Sequence, residues 1–511
     1  MFRPEIPEQL NLSDYFLDDR IREGRGDRIA IRTADDDRAY TYADVQRLAN
    51  RMAHLLRGGG VGVEDRVLIA LPDSVHFAAA FFATLKIGAV VSMVNPELPA
   101  EDYAGYLEYT KARALVCDEA LYERIFPTVR AARHLRVTLR RRGGLEAALA
   151  SAPEDFDNEP TSKDDLAIWL FTSGSTGKPK AAVHMHHDFV FNTECYAKRV
   201  LGMHEDDVTL GVPKLFFGYA TGSNLMVPFA VGAQAVLFEP KSTPEQLLDL
   251  CEKYRPTVLT SVPTMIGKML AAEGAAQRDL SSLRVSISAG EALPEELYRR
   301  WKETFRSEIL DGIGSAELFH IYISNRFGEV RPGSLGRLVD GYQARILDDA
   351  GNDVPEGEIG TLAVAGDSAA ICYWAAHEKS KETFRGDWVV SSDKFRRDAE
   401  GFFYYGGRAD DLLKVGGIFV APTEVENVLM EHPSVLECVV VGFEDADQLT
   451  KAKAVVVVKP DAATPAGDEL VKQLIELARG RLVHYKVPRR VEFTDALPRN
   501  DRGKIARRLV K

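Results

Sequence analysis

Nine consecutive residues, Thr172, Ser173, Gly174, Ser175, Thr176, Gly177, Lys178, Pro179 and Lys180, follow an apolar run at 166–171 and offer what a phosphate can use. Four hydroxyls can donate to phosphate oxygens, and Gly174 and Gly177 let backbone N–H groups turn inward with no Cβ in the way. Lys178 and Lys180 add positive charge. The plain alternative is a solvated Gly/Ser turn, but such turns seldom carry this many hydroxyls and two lysines directly after a buried strand. A Walker loop requires Gly, four residues, then Gly-Lys-Ser/Thr. Here Thr172 stands five before Gly177 and Pro179 follows the lysine, so that reading fails on spacing. A proline also cannot donate an N–H at a helix start.

Two more segments carry chemistry at expected strand ends: Ser288, Ala289, Gly290, Glu291, and then Asp311, Gly312, Ile313, Gly314, Ser315, Ala316, Glu317. Open α/β sheets bind ligands at the carboxyl ends of their strands, where flat glycine backbone can stack on an adenine. Both are expected to be loops. Glu317 is a hard oxygen ligand suited to a Mg²⁺ ion that bridges phosphates. Asp393 can accept both hydroxyls of a ribose, and Arg408 can reach ribose or phosphate. Taken alone, Asp410 and Asp411 read as an exposed acidic turn, and the basic end around Gly503 and Lys504 as a solvated tail. His184, His186 and His187 raise the question of zinc. With no cysteine or carboxylate cluster to complete a tetrahedron, they read as packing and hydrogen-bonding groups.

These residues need a scaffold. A chain of 511 residues exceeds one hydrophobic core, so several subdomains are expected. With 64 basic against 76 acidic residues the net charge is −12, which argues against a nucleic-acid surface. The densest basic run, Arg140, Arg141 and Arg142, reads as a solvated loop. The acidic, proline-containing start has no basic region followed by an apolar core, so no secretory signal is expected and the location is cytoplasmic. Residues 75–96 are nearly continuous in apolar side chains, yet Lys86, Gly88 and Asn95 interrupt them; they parse as a buried helix and a strand, with no membrane span. Five cysteines, scattered and never spaced Cys-x-x-Cys, read as reduced core residues.

Residues 41–56 have helical periodicity and 66–71 read as a buried strand, the first of several strand–helix alternations of α/β type. Short strands are expected at 114–117, 235–238, 257–262 and 285–288, and helices at 244–254 and 294–304. After about Gly333, short strands and Gly/Asp turns predict a small β-subdomain. From about Asp410 the expected order is helix 423–430, strands 435–442 and 454–459, and helix 468–482, a compact α+β unit.

Taken in order, the motifs resemble those of the acyl-adenylate-forming (ANL) superfamily, which makes an acyl-AMP from a carboxylic acid and ATP. The resemblance covers essentially the whole chain. It implies an α/β fold, with a large multi-subdomain N-terminal domain at 1–409, sheets plus the small β-subdomain, that binds ATP and acid. A mobile α+β C-terminal domain at 410–511 follows, turning about a hinge at Asp410. Thr172 to Lys178 would hold phosphates; Ala289, Gly290, Glu291, Asp311, Gly312 and Ile313 would meet the adenine; Glu317 would bind Mg²⁺; Asp393 and Arg408 would hold the ribose. Lys504 would be the catalytic lysine, touching the acid's carboxylate and the α-phosphate, while Lys414, Gly416 and Gly417 would serve the thioester-forming face. Ile313 departs from the usual tyrosine, Ser392 from glycine and Asn500 from threonine. Ala316 replaces a threonine whose hydroxyl meets the α-phosphate, a loss of about 1 kcal/mol.

The segment 213–224 is where the family lines its acid pocket; it is aromatic and has no acidic residue, which argues against an amino-acid substrate. With 311–325 it most resembles the benzoate-CoA ligase branch, in which Phe217, Gly218, Tyr219, Gly314 and His320 lie near the ring. Gly218 stands where relatives commonly have alanine, which would free room for a small ortho substituent, with Ser223 and His320 as hydrogen-bond partners. The implied function is an ATP-dependent aryl acid–CoA ligase that forms an aryl-AMP from benzoate or 2-aminobenzoate, then the aryl-CoA thioester, releasing PPi and AMP. The alternative is loading of a separate carrier protein. Expected cofactors are ATP, Mg²⁺ and coenzyme A, with the thiol on a separate molecule and a homodimer left open.

Overall fold

The computed structural model describes residues 2–173, 179–408, 413–415, 418–445, 450–460, 462–499 and 505–510. Gly174, Ser175, Thr176, Gly177, Lys178, Asp410, Gly416, Gly417 and Lys504 lie outside the described residues, and Ser173, Arg408 and Lys414 are described by backbone alone.

Two large sheets dominate. A seven-stranded sheet has Arg66–Ala70, Val90–Met93, Ala114–Asp118 and Val137–Arg141 in parallel beside Leu166–Ser173, and closes on the antiparallel strands Pro179–Met185 and Cys372–Tyr373. The nine-stranded sheet is parallel from Ile29–Thr33 through Gln234–Leu237, Val208–Gly211, Val258–Ser261 and Val285–Ser288 to Glu308–Gly314, with antiparallel strands at both edges. Parallel order follows from the strand–helix alternation, since each crossover helix must return the chain to the same edge.

Helices Tyr42–Gly58 and Val75–Lys86 lie between the sheets and share one core with strands of both, including Val67, Ile69 and Val91 from one and Ile31, Ala235 and Leu237 from the other. The first helix starts in a reciprocal cap: Thr41 Oγ1 accepts from the Asp44 N–H, and the Asp44 carboxylate accepts from the Thr41 N–H. The second explains the long apolar run, because a helix buried between two sheets has no polar face. Its Phe77, Phe81 and Phe82 are fully buried, each contributing about 1.5–3 kcal/mol. Lys86, also buried, reaches Asp18 at 2.7 Å, so its charge is paired rather than exposed. Among the described residues no helix is long and apolar enough to cross a membrane.

Of the three arginines expected in a solvated loop only Arg142 is in an exposed turn, while Arg140 and Arg141 belong to a strand. Arg141 ends the strand Val137–Arg141 with 4% exposure, and its guanidinium lies 2.5 Å from Asp118 and 2.6 Å from Glu239. Paired carboxylates on two elements, rather than water, absorb the charge, and this ties the edge of one sheet to the loop after Gln234–Leu237. The five cysteines are free, and four of them are buried.

Beyond these, Gln343–Leu347, Gly360–Ala365, Phe384–Arg385, Trp388–Arg397 and Phe403–Arg408 form a five-stranded antiparallel sheet, the expected β-subdomain. An antiparallel pair of strands, Leu413–Val415 and Ile418–Val420, then precedes a three-stranded sheet with helices Pro422–Met430 and Asp468–Arg481, as the C-terminal pattern predicts.

Candidate nucleotide and acid site

The strand Leu166–Ser173 and its antiparallel partner Pro179–Met185 bring Thr172 opposite Lys180, so the two described ends of the expected phosphate stretch lie side by side. On its far side Pro179–Met185 pairs with Cys372–Tyr373. That second pairing sets Lys180 Nζ 4.8 Å above the ring of Tyr373. Burial, with Lys379 close by, pulls the Lys180 pKa below its ordinary value.

Asp311 to Gly314 do not form a loop, contrary to expectation. The strand Glu308–Gly314 runs through them and pairs antiparallel with Ile321–Ser324. Glycine is required by close approach: a Cβ on Gly312 would meet the Ile323 carbonyl oxygen at 2.6 Å, and one on Gly314 the His320 carbonyl oxygen at 2.5 Å. Asp311 is buried, and desolvation pushes its carboxyl up to about 8. The neighbouring strand ends at Ser288, after which Gly290 adopts φ +87°, a left-handed conformation that glycine takes without strain. Glu291 turns its carboxylate to Thr264, accepting from the backbone N–H at 3.1 Å and the hydroxyl at 2.7 Å, so it anchors this loop to the start of helix Pro263–Ala271.

Glu317 sits in a one-turn 3₁₀ segment held from two directions. The Tyr373 hydroxyl donates to Glu317 Oε1 at 2.6 Å and the Ala370 N–H donates to the Glu317 carbonyl at 2.9 Å. From the other side His184 Nε2 donates to the Ala316 carbonyl at 2.7 Å, while Nδ1 shares a proton with Asp188 at 2.6 Å. His186 accepts from the Leu12 N–H and His187 approaches the Lys163 carbonyl, so all three histidines have hydrogen-bonding work. Ala316 packs its methyl against the main core, where a threonine hydroxyl would need a partner. Tyr373 occupies one Glu317 oxygen, and among the described residues no donor reaches the other. A half-buried carboxylate with one oxygen left over suits a hard cation that is also held by phosphates.

Of the residues expected to line an acid pocket, Tyr219 and Gly314 meet at His320. Tyr219 packs on its ring at 5.4 Å, and His320 Nε2 donates to the Tyr219 carbonyl at 3.0 Å, as does the Ser223 hydroxyl at 2.8 Å. With Nε2 protonated, Nδ1 is a bare acceptor; it is buried and has no hydrogen-bond partner among the described residues. Burial pulls the His320 pKa down to about 4, so the ring is neutral. Gly222 makes room for it: a Cβ there would lie 2.4 Å from His320 Cδ2. The space beside Gly218 is already taken by Leu170, whose Cδ2 would be 3.2 Å from an added Cβ. Phe217 caps the short helix Gly218–Thr221 and packs on Phe216 at 4.5 Å.

Behind this wall the loop is held by two charges that the sequence reading missed. Asp73 accepts from the Leu215 N–H and Lys214 donates to the Phe238 carbonyl, each at 2.8 Å. Burial raises Asp73 to about 6 and lowers Lys214 to about 8. Asp393, in the middle of Trp388–Arg397, is paired in register with Arg408. Arg499, near the chain end, approaches Thr264 Oγ1 at 3.4 Å, the same threonine that holds Glu291. Tyr373, Thr264 and Asp73 carry no local motif that would single them out.

Close-packed glycines and a half-buried carboxylate with one oxygen left over, just past the carboxyl ends of parallel strands, fit a ligand-binding enzyme of α/β class. Residues 18–374 match the AMP-binding enzyme family and 424–504 match the AMP-binding enzyme C-terminal domain. The chain is 40% identical to the benzoate–CoA ligase of Thauera aromatica, over 98% of this chain and 96% of that one. Its fold is similar to the crystal structure of the anthranilate CoA ligase AuaEII in complex with anthranoyl-AMP (TM-score 0.92, 36% identity, 98% and 96% of the two chains). It is also similar to a benzoate CoA ligase from Burkholderia xenovorans LB400 (TM-score 0.88, 37% identity, 98% and 99%). The chain therefore belongs to the AMP-binding enzyme family, and is an adenylate-forming acid–thiol ligase.

Proposed function

We propose that this enzyme joins a benzoate-type acid to coenzyme A in two steps, an aryl-AMP first and the aryl-CoA thioester second, with release of PPi and then AMP. The observation that carries the choice of acid is the wall made by Tyr219 and a neutral, buried His320 beside Gly314. Such a surface suits a planar ring and contains no carboxylate to pair with a charged amine. The unpartnered Nδ1 favours an acid bearing an ortho N–H or O–H donor, because a buried acceptor without a partner costs about 1–3 kcal/mol. Benzoate and 2-aminobenzoate are the acids we infer. The resemblance to benzoate–CoA and anthranilate CoA ligases supports both the acids and the thiol.

In this reading the backbone and hydroxyls of Thr172 to Lys178 hold the phosphates. Glu317 would hold Mg²⁺, which supplies charge neutralisation at the phosphates when bound. Asp393 and Arg408 orient the ribose, and Lys504 neutralises charge as the carboxylate attacks the α-phosphate. Rotation at Asp410 then exchanges Lys504 for the Lys414, Gly416 and Gly417 face, where the thiol enters. The deciding experiment is a pyrophosphate-release screen over benzoate, its hydroxy and amino derivatives, cinnamate and short fatty acids, followed by thioester formation with coenzyme A and with carrier protein. Preference for aliphatic acids, or thioester only on carrier protein, would replace this assignment.

A further inference from the structure

Tyr373 joins two parts of the site that are far apart in the chain. Its hydroxyl donates to Glu317 Oε1 at 2.6 Å, its ring lies 4.8 Å beneath Lys180 Nζ, and its backbone pairs with Ala182. A phenol hydroxyl facing a carboxylate oxygen donates to it, and so fixes which oxygen is occupied. The residue is 5% exposed, so its rotamer is settled by packing, including Phe384 at 5.2 Å. The backbone around Glu317 is clamped as well: Ala370 N–H donates to its carbonyl, Ser368 Oγ donates to the Leu318 carbonyl at 3.0 Å, and His184 holds the Ala316 carbonyl. Backbone clamps leave the carboxylate free to rotate about its side-chain torsions. Tyr373 is the group that removes this freedom.

We infer that Tyr373 is a positioning residue that presents the Oε2 atom of Glu317 to the divalent cation accompanying ATP and, through its ring, holds Lys180 on the phosphate side of the same carboxylate. This rests on the reading of Glu317 as the cation ligand. An untethered carboxylate would sample several orientations, and the cation would be bound more weakly with no change in the reaction once it is bound.

The test compares Tyr373→Phe with Glu317→Gln in the full-length enzyme. Phenylalanine keeps the ring under Lys180 and removes only the hydroxyl. Mn²⁺ binding is measured by electron paramagnetic resonance in the presence of a non-hydrolysable ATP analogue, alongside the Mg²⁺ dependence of pyrophosphate release and the thermal midpoint. For Tyr373→Phe the expected result is an Mn²⁺ dissociation constant and a half-saturating Mg²⁺ concentration both raised about 3- to 10-fold, the loss of one hydrogen bond. The rate at saturating Mg²⁺ and the thermal midpoint should hardly change. Glu317→Gln should weaken Mn²⁺ binding more. If Glu317→Gln does so and Tyr373→Phe leaves Mn²⁺ binding unchanged, the positioning role is wrong while the ligand assignment stands. If Glu317→Gln itself leaves Mn²⁺ binding unchanged, the ligand assignment falls and the role of Tyr373 with it.

Discussion

Asp393 and Arg408 stand directly opposite each other on the antiparallel strands Trp388–Arg397 and Phe403–Arg408, fifteen residues apart in sequence. A strand pair thus sets the backbones of these two residues at one level of the β-subdomain. If Asp393 accepts the ribose hydroxyls, Asp393→Asn should raise the KM for ATP about 10- to 100-fold, the loss of a charge-assisted hydrogen bond of about 1.5–3 kcal/mol. Steady-state kinetics varying ATP and acid separately should show the KM of the acid little altered.

Lys504→Ala should abolish ATP-dependent pyrophosphate release yet still convert supplied aryl-AMP to thioester. The two half-reactions are expected to use opposite faces of the C-terminal domain. Equal loss of both steps in a folded variant would refute the two-state assignment.

Gly218→Ala places a methyl 3.2 Å from Leu170 Cδ2, tighter than ordinary contact, so Leu170 must yield or the wall must move toward the ring. Discrimination worth one methyl is about 1–3 kcal/mol. The kcat/KM for 2-aminobenzoate should fall about 5- to 100-fold more than that for benzoate, and an equal fall for both would remove Gly218 from the specificity argument.

Arg141→Ala leaves Asp118 and Glu239 without their shared guanidinium, and should cost about 3–5 kcal/mol in chemical denaturation, the range for breaking a buried pair. Arg142, exposed beside it, should cost about 0–1 kcal/mol.

Asp311→Asn tests the buried carboxyl. A pKa raised to about 8 means the folded chain keeps a proton that the unfolded chain gives up above its ordinary value near 3.9. The stabilisation linked to that proton is complete below the unfolded value and is lost as pH rises through about 8. Asparagine carries no such linkage. The variant should therefore gain on wild type by about 1.4 kcal/mol per pH unit between pH 5 and 7, measured by urea denaturation at several pH values.

Much of the fold was legible because its signals are local. The periodicity of 41–56, the apolar run behind Val75–Lys86 and the alternation of strands with helices each lie in a few adjacent residues, and each became the expected element. The expected phosphate stretch stands out for the same reason, its hydroxyls, glycines and lysines being neighbours in the chain, though residues 174–178 lie outside the described residues. What only the tertiary structure decided lies between distant residues. Arg141 is buried because Asp118 and Glu239 meet it from two other elements, although by sequence it sits in a run of three arginines. The Tyr373 hydroxyl finds Glu317 across 56 residues, and His184 finds the Ala316 carbonyl across 132. The room at Gly218 belongs to Leu170, on a strand of the other sheet-forming segment. A hydrogen bond or a packing contact between such positions leaves no spacing or periodicity in the chain, since neither partner's neighbours are altered by it. Its existence depends on how the sheets align, and that is fixed by the sum of all the core contacts rather than by any one stretch.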